Sequence, residues 1–352
     1  MIAFKQHPGK VVTADSRFKH VMAVALDPSR GFREGVIRCI TSRVGDVEIS
    51  GYVDRSELFR VAANDSFEKV VMKERLVLRN EEAIVSRLNT LGGEKRDFIG
   101  LEDPDFFLDQ GTGLLHLYFT MPFLFTNRRK KEAVIHLGHA VGKDIDSLEM
   151  TEPILMADLN DPNHPGAKEL SVAPVNKAGV RFNLVESSKR EADFNYSTVR
   201  VAVAEDMGKP WRFGETVFHP KEHGIPWIGG HASPGPLLPR SFIDIGEGKL
   251  VGIMNGREAN QKVGDKTKYG MFSVGLFIYD YEKGKIDWVS PEPLIRDTEA
   301  VTITFASQFI ETGSGSDGGG REGILYAHVD DSFVRAYSLY ADGLRELIPK
   351  NR

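Results

Sequence analysis

From residue 21 onward the chain repeats one pattern with few interruptions: a short run rich in Val, Ile and Phe, a turn former (Gly, Asp, Asn or Pro), then another short run. The runs at 21–26, 35–41, 47–53, 58–62 and 68–71 open the series. Branched and aromatic residues in brief stretches punctuated by turn formers make strands, so the expected class is all-β. The window 81–91 is the best helical candidate before residue 100. Residues 313–323 are glycine-rich but stand between two strand-like segments, and read as a long hairpin rather than a phosphate-binding loop.

A weak internal repeat organises these strands. A strand ends in acidic or amide turn residues, an aromatic or large apolar residue follows, and a new strand begins: Asn64, Asp65 and Phe67; Asp144, Asp146 and Leu148; Glu205, Asp206 and Trp211; Asp280, Asp287 and Trp288. A shorter echo is Asp330, Asp331 and Phe333. Copies recur roughly every 60–80 residues, a spacing that suits one four-stranded propeller blade per unit. The 352 residues then make a five-bladed β-propeller as a single domain over 1–352. Trp211 and Trp288 fall at the repeat position and are expected to pack within blades.

In a propeller the first strand of each blade lines the central axis, so polar residues at those strand starts converge on one pocket. The candidates are Arg38 and Arg43; Asp103 and Asp105; Lys168 and Glu169, with Glu186 on the next strand; His231 and Asn255; and Asp330. The densest of these is the run Glu102, Asp103, Pro104, Asp105, directly ahead of an apolar stretch ending at Tyr118, Phe119 and Thr120. Pro104 disfavours helical backbone at Asp103, which predicts an extended Asp103 on a stiff segment. Alternation along an extended chain then sets Asp103 and Asp105 on one face and Glu102 on the other.

Charge and cysteine content exclude several classes. A formal net charge of -5 with no broad basic stripe argues against nucleic acid; the one basic cluster, Arg128 to Lys131, is followed at once by Glu132. The single cysteine, Cys39, rules out an intrachain disulfide and sits in an apolar run as a small hydrophobe. No apolar window nears the ~18 residues of a membrane span and the first ten residues lack a signal-peptide core, so a cytoplasmic protein without a membrane partner is expected. His219 and His223 have metal-like spacing, but Pro220 breaks the helix that would align them, so no metal is expected. Ser233 lacks the strand–turn–helix setting of a nucleophile elbow.

With these residues in place the chain resembles the five-bladed propeller glycosidases, most of all glycoside hydrolase family 130, the β-mannoside phosphorylases and mannosidases. The family's Glu-Asp-Pro-Arg motif, opening an inner strand that runs to a Tyr-Thr pair, is similar to Glu102, Asp103, Pro104, Asp105 and then Tyr118, Phe119, Thr120. Arg43 resembles the basic residue ending an early inner strand, residues 167–174 the Asn-Lys-Asp segment, Pro234 to Leu238 with 250–256 the proline-rich turn and the strand ending in His-Gly, and Lys268, Tyr269, Gly270 a Tyr-containing strand. The resemblance implies a glycosidic bond cleaved with inversion, in a β-mannoside, with Asp103 as the acid. It implies no cofactor, inorganic phosphate entering only as co-substrate of a phosphorylase. Asp105 stands where the family has Arg, Asn255 where it has His, and Glu186-Ser187 where an Arg is common. Each change removes positive charge that phosphate would need, so hydrolysis is favoured, with Arg43, Arg128 and Lys168 as the remaining cations.

Inverting hydrolysis takes a second carboxylate as base, set about 6.5–9.5 Å from the acid. The order of candidates is Glu186, Glu169, Asp105 and then Glu258. Trp227, Phe123, Phe125 and Tyr269 are available as a platform for a sugar ring, Trp227 first because of its glycine-flanked loop, and His231 is a further substrate contact. Three other readings stay open: a β-mannoside phosphorylase, a family-43-like furanosidase whose expected early Asp is Asp15 or Asp27, and a sugar-binding propeller without catalysis. The expected partner is an oligosaccharide or glycoside; whether copies of the chain associate is left open by the sequence.

Overall fold

The computed structural model describes residues 1–12, 17–49, 51–126, 133–158, 166–191, 194–314 and 320–350. Within these the regular structure is nearly all β-strand. Among the described residues three short α-helices and three single 3-10 turns interrupt the strands, the longest helix being Glu81–Asn89, which carries Glu81 and Glu82 in its first turn and Arg87 in its last, and buries Leu88. Acid at the start and base at the end suit the helix dipole. No helix is long and apolar enough to cross a membrane.

The strands come in successive antiparallel runs. His20–Leu26, Glu34–Val44, Val53–Ala63 and Val70–Arg75 pair in order. Glu102–Asp109, Leu114–Phe125, Ala133–Gly142 and Glu149–Met150 form the next run, with Arg96–Phe98 added along the far half of Leu114–Phe125. Ala167–Ser171, Arg181–Glu191, Phe194–Ala204 and Arg212–Phe218 make a third. His231–Leu237, Lys249–Arg257, Phe272–Asp280 and Lys285–Val289 make a fourth, joined to the third by a single parallel bridge between Ser197 and His231. In the last, Thr304–Ser314, Arg321–Val329 and Phe333–Tyr340 are completed by the N-terminal strand Phe4–Lys10, which pairs antiparallel with Phe333–Tyr340.

The first strands of the five runs pack in a ring: His20–Leu26 against Glu102–Asp109, that against Ala167–Ser171, that against His231–Leu237, that against Thr304–Ser314, and that back against His20–Leu26. Apolar side chains fill the spaces between neighbouring sheets. Gly138 lies under the ring of Phe119, where a Cβ would stand 2.3 Å from it, so the bare backbone makes room for the aromatic on the adjacent strand.

All five of these strands slip register partway along, between Met22 and Val24, Glu102 and Asp105, Lys168 and Leu170, Pro234 and Leu237, and Ala306 and Gln308. At three of the slips a non-glycine residue has left-handed backbone: Ala23 (φ 51), Asp103 (φ 46) and Glu169 (φ 50). Such a residue costs on the order of 1–2 kcal/mol, and the bulge turns its side chain out of the strand's alternation. This corrects the extended Asp103 expected above: Pro104 bars the right-handed helical region but leaves the left-handed one open. The run 47–53 is also corrected. Asp46 accepts from the amides of Glu48 and Ile49, making a turn, and the strand begins only at Val53.

Candidate functional site

The starts of the five ring strands surround a cavity of about 290 Å3, lined by Met22, Glu102 and Asp103, Lys168 and Glu169, His231, and Phe305. A wider cavity of about 530 Å3 adjoins it and shares Tyr52, Lys168, His231, Arg257 and Tyr269. Its outer wall comes from the tall hairpin of Arg181–Glu191 and Phe194–Ala204, and from the small hairpin Gln261–Val263 with Lys266–Lys268.

Arg38 organises the acidic corner. Its guanidinium donates to Asp103 Oδ1 at 2.8 Å, to Glu102 Oε1 at 2.6 Å and through Nε to Ser56 Oγ at 3.1 Å. Glu102 and Asp103 therefore share a face, against the alternation expected of an extended chain, because Asp103 is the bulge residue. Asp105 goes the other way, into a separate cavity of about 320 Å3 with Leu170, Ser171, Pro236 and Phe309, at the opposite ends of the same strands. The sequence placed Asp105 in the pocket with Asp103; the register slip takes it to the other cavity.

The carboxyls are tuned apart. Burial raises Glu102 to about 7 despite Arg38. Burial and the neighbouring Asp103 charge push Glu169 well above the ordinary range, and it hydrogen-bonds Asp103. For Asp103 burial is outweighed by Arg38, Lys168 and His328, so it stays below the ordinary range. Of this hydrogen-bonded pair Glu169 has the higher proton affinity and Asp103 the lower. Glu186, on the second strand of the third run and opposite Lys168 in register, is 3 % exposed. Its burial is outweighed by His231 and Lys168, which keep it ionised. Lys168 Nζ lies 3.4 Å from Glu186 Oε1 and His231 Nε2 lies 3.0 Å from Oε2. Burial lowers His231 to about 4, against the pull of the neighbouring Glu186 charge.

Other residues from distant segments complete the walls. Arg43 makes a bidentate pair with Asp54, both contacts 2.7 Å, and donates to the Asp331 carbonyl. Asp331 lies 3.2 Å from His328 Nε2 and accepts from the Tyr52 hydroxyl at 3.4 Å. The Arg257 guanidinium stacks 4.3 Å over the Tyr269 ring and 5.0 Å from Phe272.

Of the residues named from sequence, Asp103, Glu169, Glu186, Glu102, Lys168, His231 and Tyr269 line these two cavities, and Arg43 supports the wall from behind Asp54 and Asp331. Trp227 does not: it is 4 % exposed, its indole N–H bonds the Ser290 carbonyl, and its ring fills the space left by Gly256 and Gly275. Asn255 is fully buried and ties two sheets, donating to the Ala306 carbonyl and accepting from its amide. Asp330 caps a loop by accepting from the amides of Val301, Thr302 and Ile303, while its neighbour Asp331 faces the cavity. Phe123 and Phe125 belong to the core, and Glu258 pairs with Arg296 at 2.8 Å near the surface. Asp27 caps a short helical turn, and Asp15 and Arg128 lie outside the described residues. Tyr52, Asp54, Arg257, His328 and Asp331 also line the cavities and were not named from sequence; the adjacent pair Asp330 and Asp331 carried a signal, and it is Asp331 rather than Asp330 that lines the cavity. Among the described residues no three His, Cys, Asp or Glu side chains cluster to hold a metal.

No family model matches the chain, and no curated protein matches it. Solved structures do match in fold. A glycosyl hydrolase from Bacteroides ovatus is 16% identical with a TM-score of 0.59, over 92% of this chain and 84% of that one. A β-1,2-mannobiose phosphorylase from Listeria innocua is 13% identical with a TM-score of 0.56, over 98% and 90%. The catalytic domain of a family-62 α-L-arabinofuranosidase from Coprinopsis cinerea is 8% identical with a TM-score of 0.52, over 97% and 98%.

Proposed function

We propose that the chain is a five-bladed propeller over 1–352 that cleaves a glycosidic bond with inversion, by hydrolysis in preference to phosphorolysis. The propeller is supported by the ring of five first strands and by the separability of the long central sheet at its single parallel bridge. The observation that carries the chemistry is the meeting of opposite carboxyl environments around Lys168: Glu169, raised by burial and the Asp103 charge, beside Asp103 and Glu186, both held below the ordinary range, with Lys168 Nζ 3.4 Å from Glu186 Oε1. Carboxyls pushed apart in this way divide into acid and base.

Asp103 and Glu169 together hold the proton that the leaving oxygen takes, with Asp103 as the acid by its likeness to the family motif and Glu169 as its proton source. Glu186 is the base that activates water, its position fixed by Lys168 and His231. Arg38 holds the acidic corner open against its own repulsion. Hydrolysis is favoured because Arg38, Arg43 and Lys168 are each committed to a carboxylate, so that among the described residues the single guanidinium of Arg257 is what remains for a phosphate dianion. A β-mannoside as substrate rests on the likeness of the motif at 102–105.

The test is sugar release from a panel of β-mannosides and other oligosaccharides with and without inorganic phosphate, following free sugar and sugar 1-phosphate. Phosphate-independent free sugar is expected, with Asp103→Asn and Glu186→Gln each slowing it by at least about 100-fold, the scale of a lost general acid or base. Sugar 1-phosphate would replace hydrolysis by phosphorolysis. Retained sugar binding with no product from any substrate would leave a binding module.

A further inference from the structure

Arg257 ends the strand Lys249–Arg257, opposite His231 in register, and borders both cavities. A guanidinium keeps its proton under all ordinary conditions, so this is a permanent positive charge in a buried place. The other cations at the pocket each have a carboxylate partner: of those lining it, Arg38 has Glu102 and Asp103 and Lys168 has Glu186, and Arg43, behind the wall, has Asp54. Among the described residues Arg257 has none, and its buried Nε meets no hydrogen-bond acceptor. The carboxylates nearest in charge are engaged elsewhere, Glu186 by Lys168 and His231 and Asp331 by His328 and Tyr52. Stacking on Tyr269 and Phe272 fixes the guanidinium and offsets part of its desolvation without neutralising it.

We infer that the sugar this pocket takes carries a carboxylate, and that Arg257 receives it. The inference rests on the glycoside-cleaving reading for its substrate class and adds that the glycoside is a uronic acid derivative. A neutral hydroxyl would satisfy a single donor and leave the charge uncompensated. A carboxylate does both, in the two-pronged geometry for which a guanidinium is built. A phosphate dianion fits less well, since a second free cation is wanted beside Arg257 and the other three are paired. The rest of the wider cavity offers Ser188, Asn195, Asn260 and Thr267, hydroxyl and amide groups of the kind that bind ring hydroxyls. Its volume of about 530 Å3 admits a sugar ring with room for a neighbour.

The test is calorimetric titration with glucuronate, galacturonate and mannuronate, each against its neutral hexose, into wild-type protein, Arg257→Met and Arg257→Lys, with thermal melts to check folding. At least one uronate should bind about 10- to 100-fold more tightly than its neutral counterpart, the gain of a charge-assisted bidentate contact. Arg257→Met should erase that preference and Arg257→Lys should reduce it, so the second variant decides if the first does not fold. Inorganic phosphate at millimolar concentration should not displace the uronate. Equal binding of acid and neutral sugars, a preference that survives Arg257→Met, or displacement by phosphate that itself needs Arg257 would each overturn the inference. Uronate binding through Arg257 without cleavage of any uronide would sink the cleavage reading and leave this one standing.

Discussion

Two carboxyls three apart in number, Glu102 and Asp105, are both raised to about 7 by burial, in different surroundings and with one shared consequence. Glu102 is buried beside Asp103; Asp105 is desolvated in the far cavity, where only the Phe106 amide helps it. A carboxyl whose folded pKa lies above its unfolded value binds more protons in the native state. Stability is then greatest below the unfolded value near 4 and falls as pH climbs toward 7. Removing the charge at one of the two isolates its share. Asp105→Asn keeps an acceptor for the Phe106 amide, so its stability should match wild type at pH 4 and exceed it at pH 8. With about 1.4 kcal/mol per pKa unit the gain is at most about 4 kcal/mol, less what solvent returns to this half-buried group. Urea unfolding at the two pH values measures it. An unchanged difference between them would mean that Asp105 is not a raised carboxyl.

At the scale of elements, the strands were legible and the register was not. Val, Ile and Phe in short punctuated runs mark the early strands His20–Leu26, Glu34–Val44 and Val53–Ala63, and the window 81–91 contains the helix Glu81–Asn89. Nothing in the sequence marks Ala23, Asp103 or Glu169 as left-handed, because glycine, the usual sign, is absent at all three. One slipped residue re-aims everything after it, which is why Glu102 joined Asp103 and Asp105 left the pocket. Tyr52 lies in a loop outside the strand starts, whereas Arg257 and Asp331 are near neighbours of the named Asn255 and Asp330, where residue type and spacing alone do not say which side chain lines the pocket. Asn255 shows the converse. At a strand position that resembles a phosphate ligand, it serves as a two-bond clamp between Lys249–Arg257 and Thr304–Ser314. Asn255→Ala would strand the Ala306 amide and carbonyl without partners, at about 1–3 kcal/mol each. Denaturant midpoints should fall accordingly while KM for any turned-over sugar stays put. A raised KM with undiminished stability would return Asn255 to the binding site.

For the whole molecule the question is what closes the ring, since a sheet edge left open is a liability. The N-terminal strand Phe4–Lys10 takes the outer place of the last sheet, so the two ends of the chain are stitched together. Buried Arg335 reinforces the seam, bonding Asp297 and Glu299 on one side and the Pro8 carbonyl on the other, while Tyr337 also donates to Asp297. At the rim, Gly343 in the helix Ala341–Leu347 touches the entering backbone so closely that a Cβ would lie 2.1 Å from the Ile2 carbonyl oxygen and 2.6 Å from Ala3 Cα. Helix propensity alone would make Gly343→Ala stabilising by up to about 1 kcal/mol. Crowding of backbone on backbone works against it and costs roughly 1–3 kcal/mol, because neither partner is a flexible side chain that can swing away. The net expectation is a loss of stability, read as a lower melting temperature, with turnover per folded molecule unchanged because the pocket lies at the ring strands rather than at this edge. A Gly343→Ala protein as stable as wild type would show that the first residues are free to yield, and that the ring is held by its sheet-to-sheet packing rather than by its stitched ends.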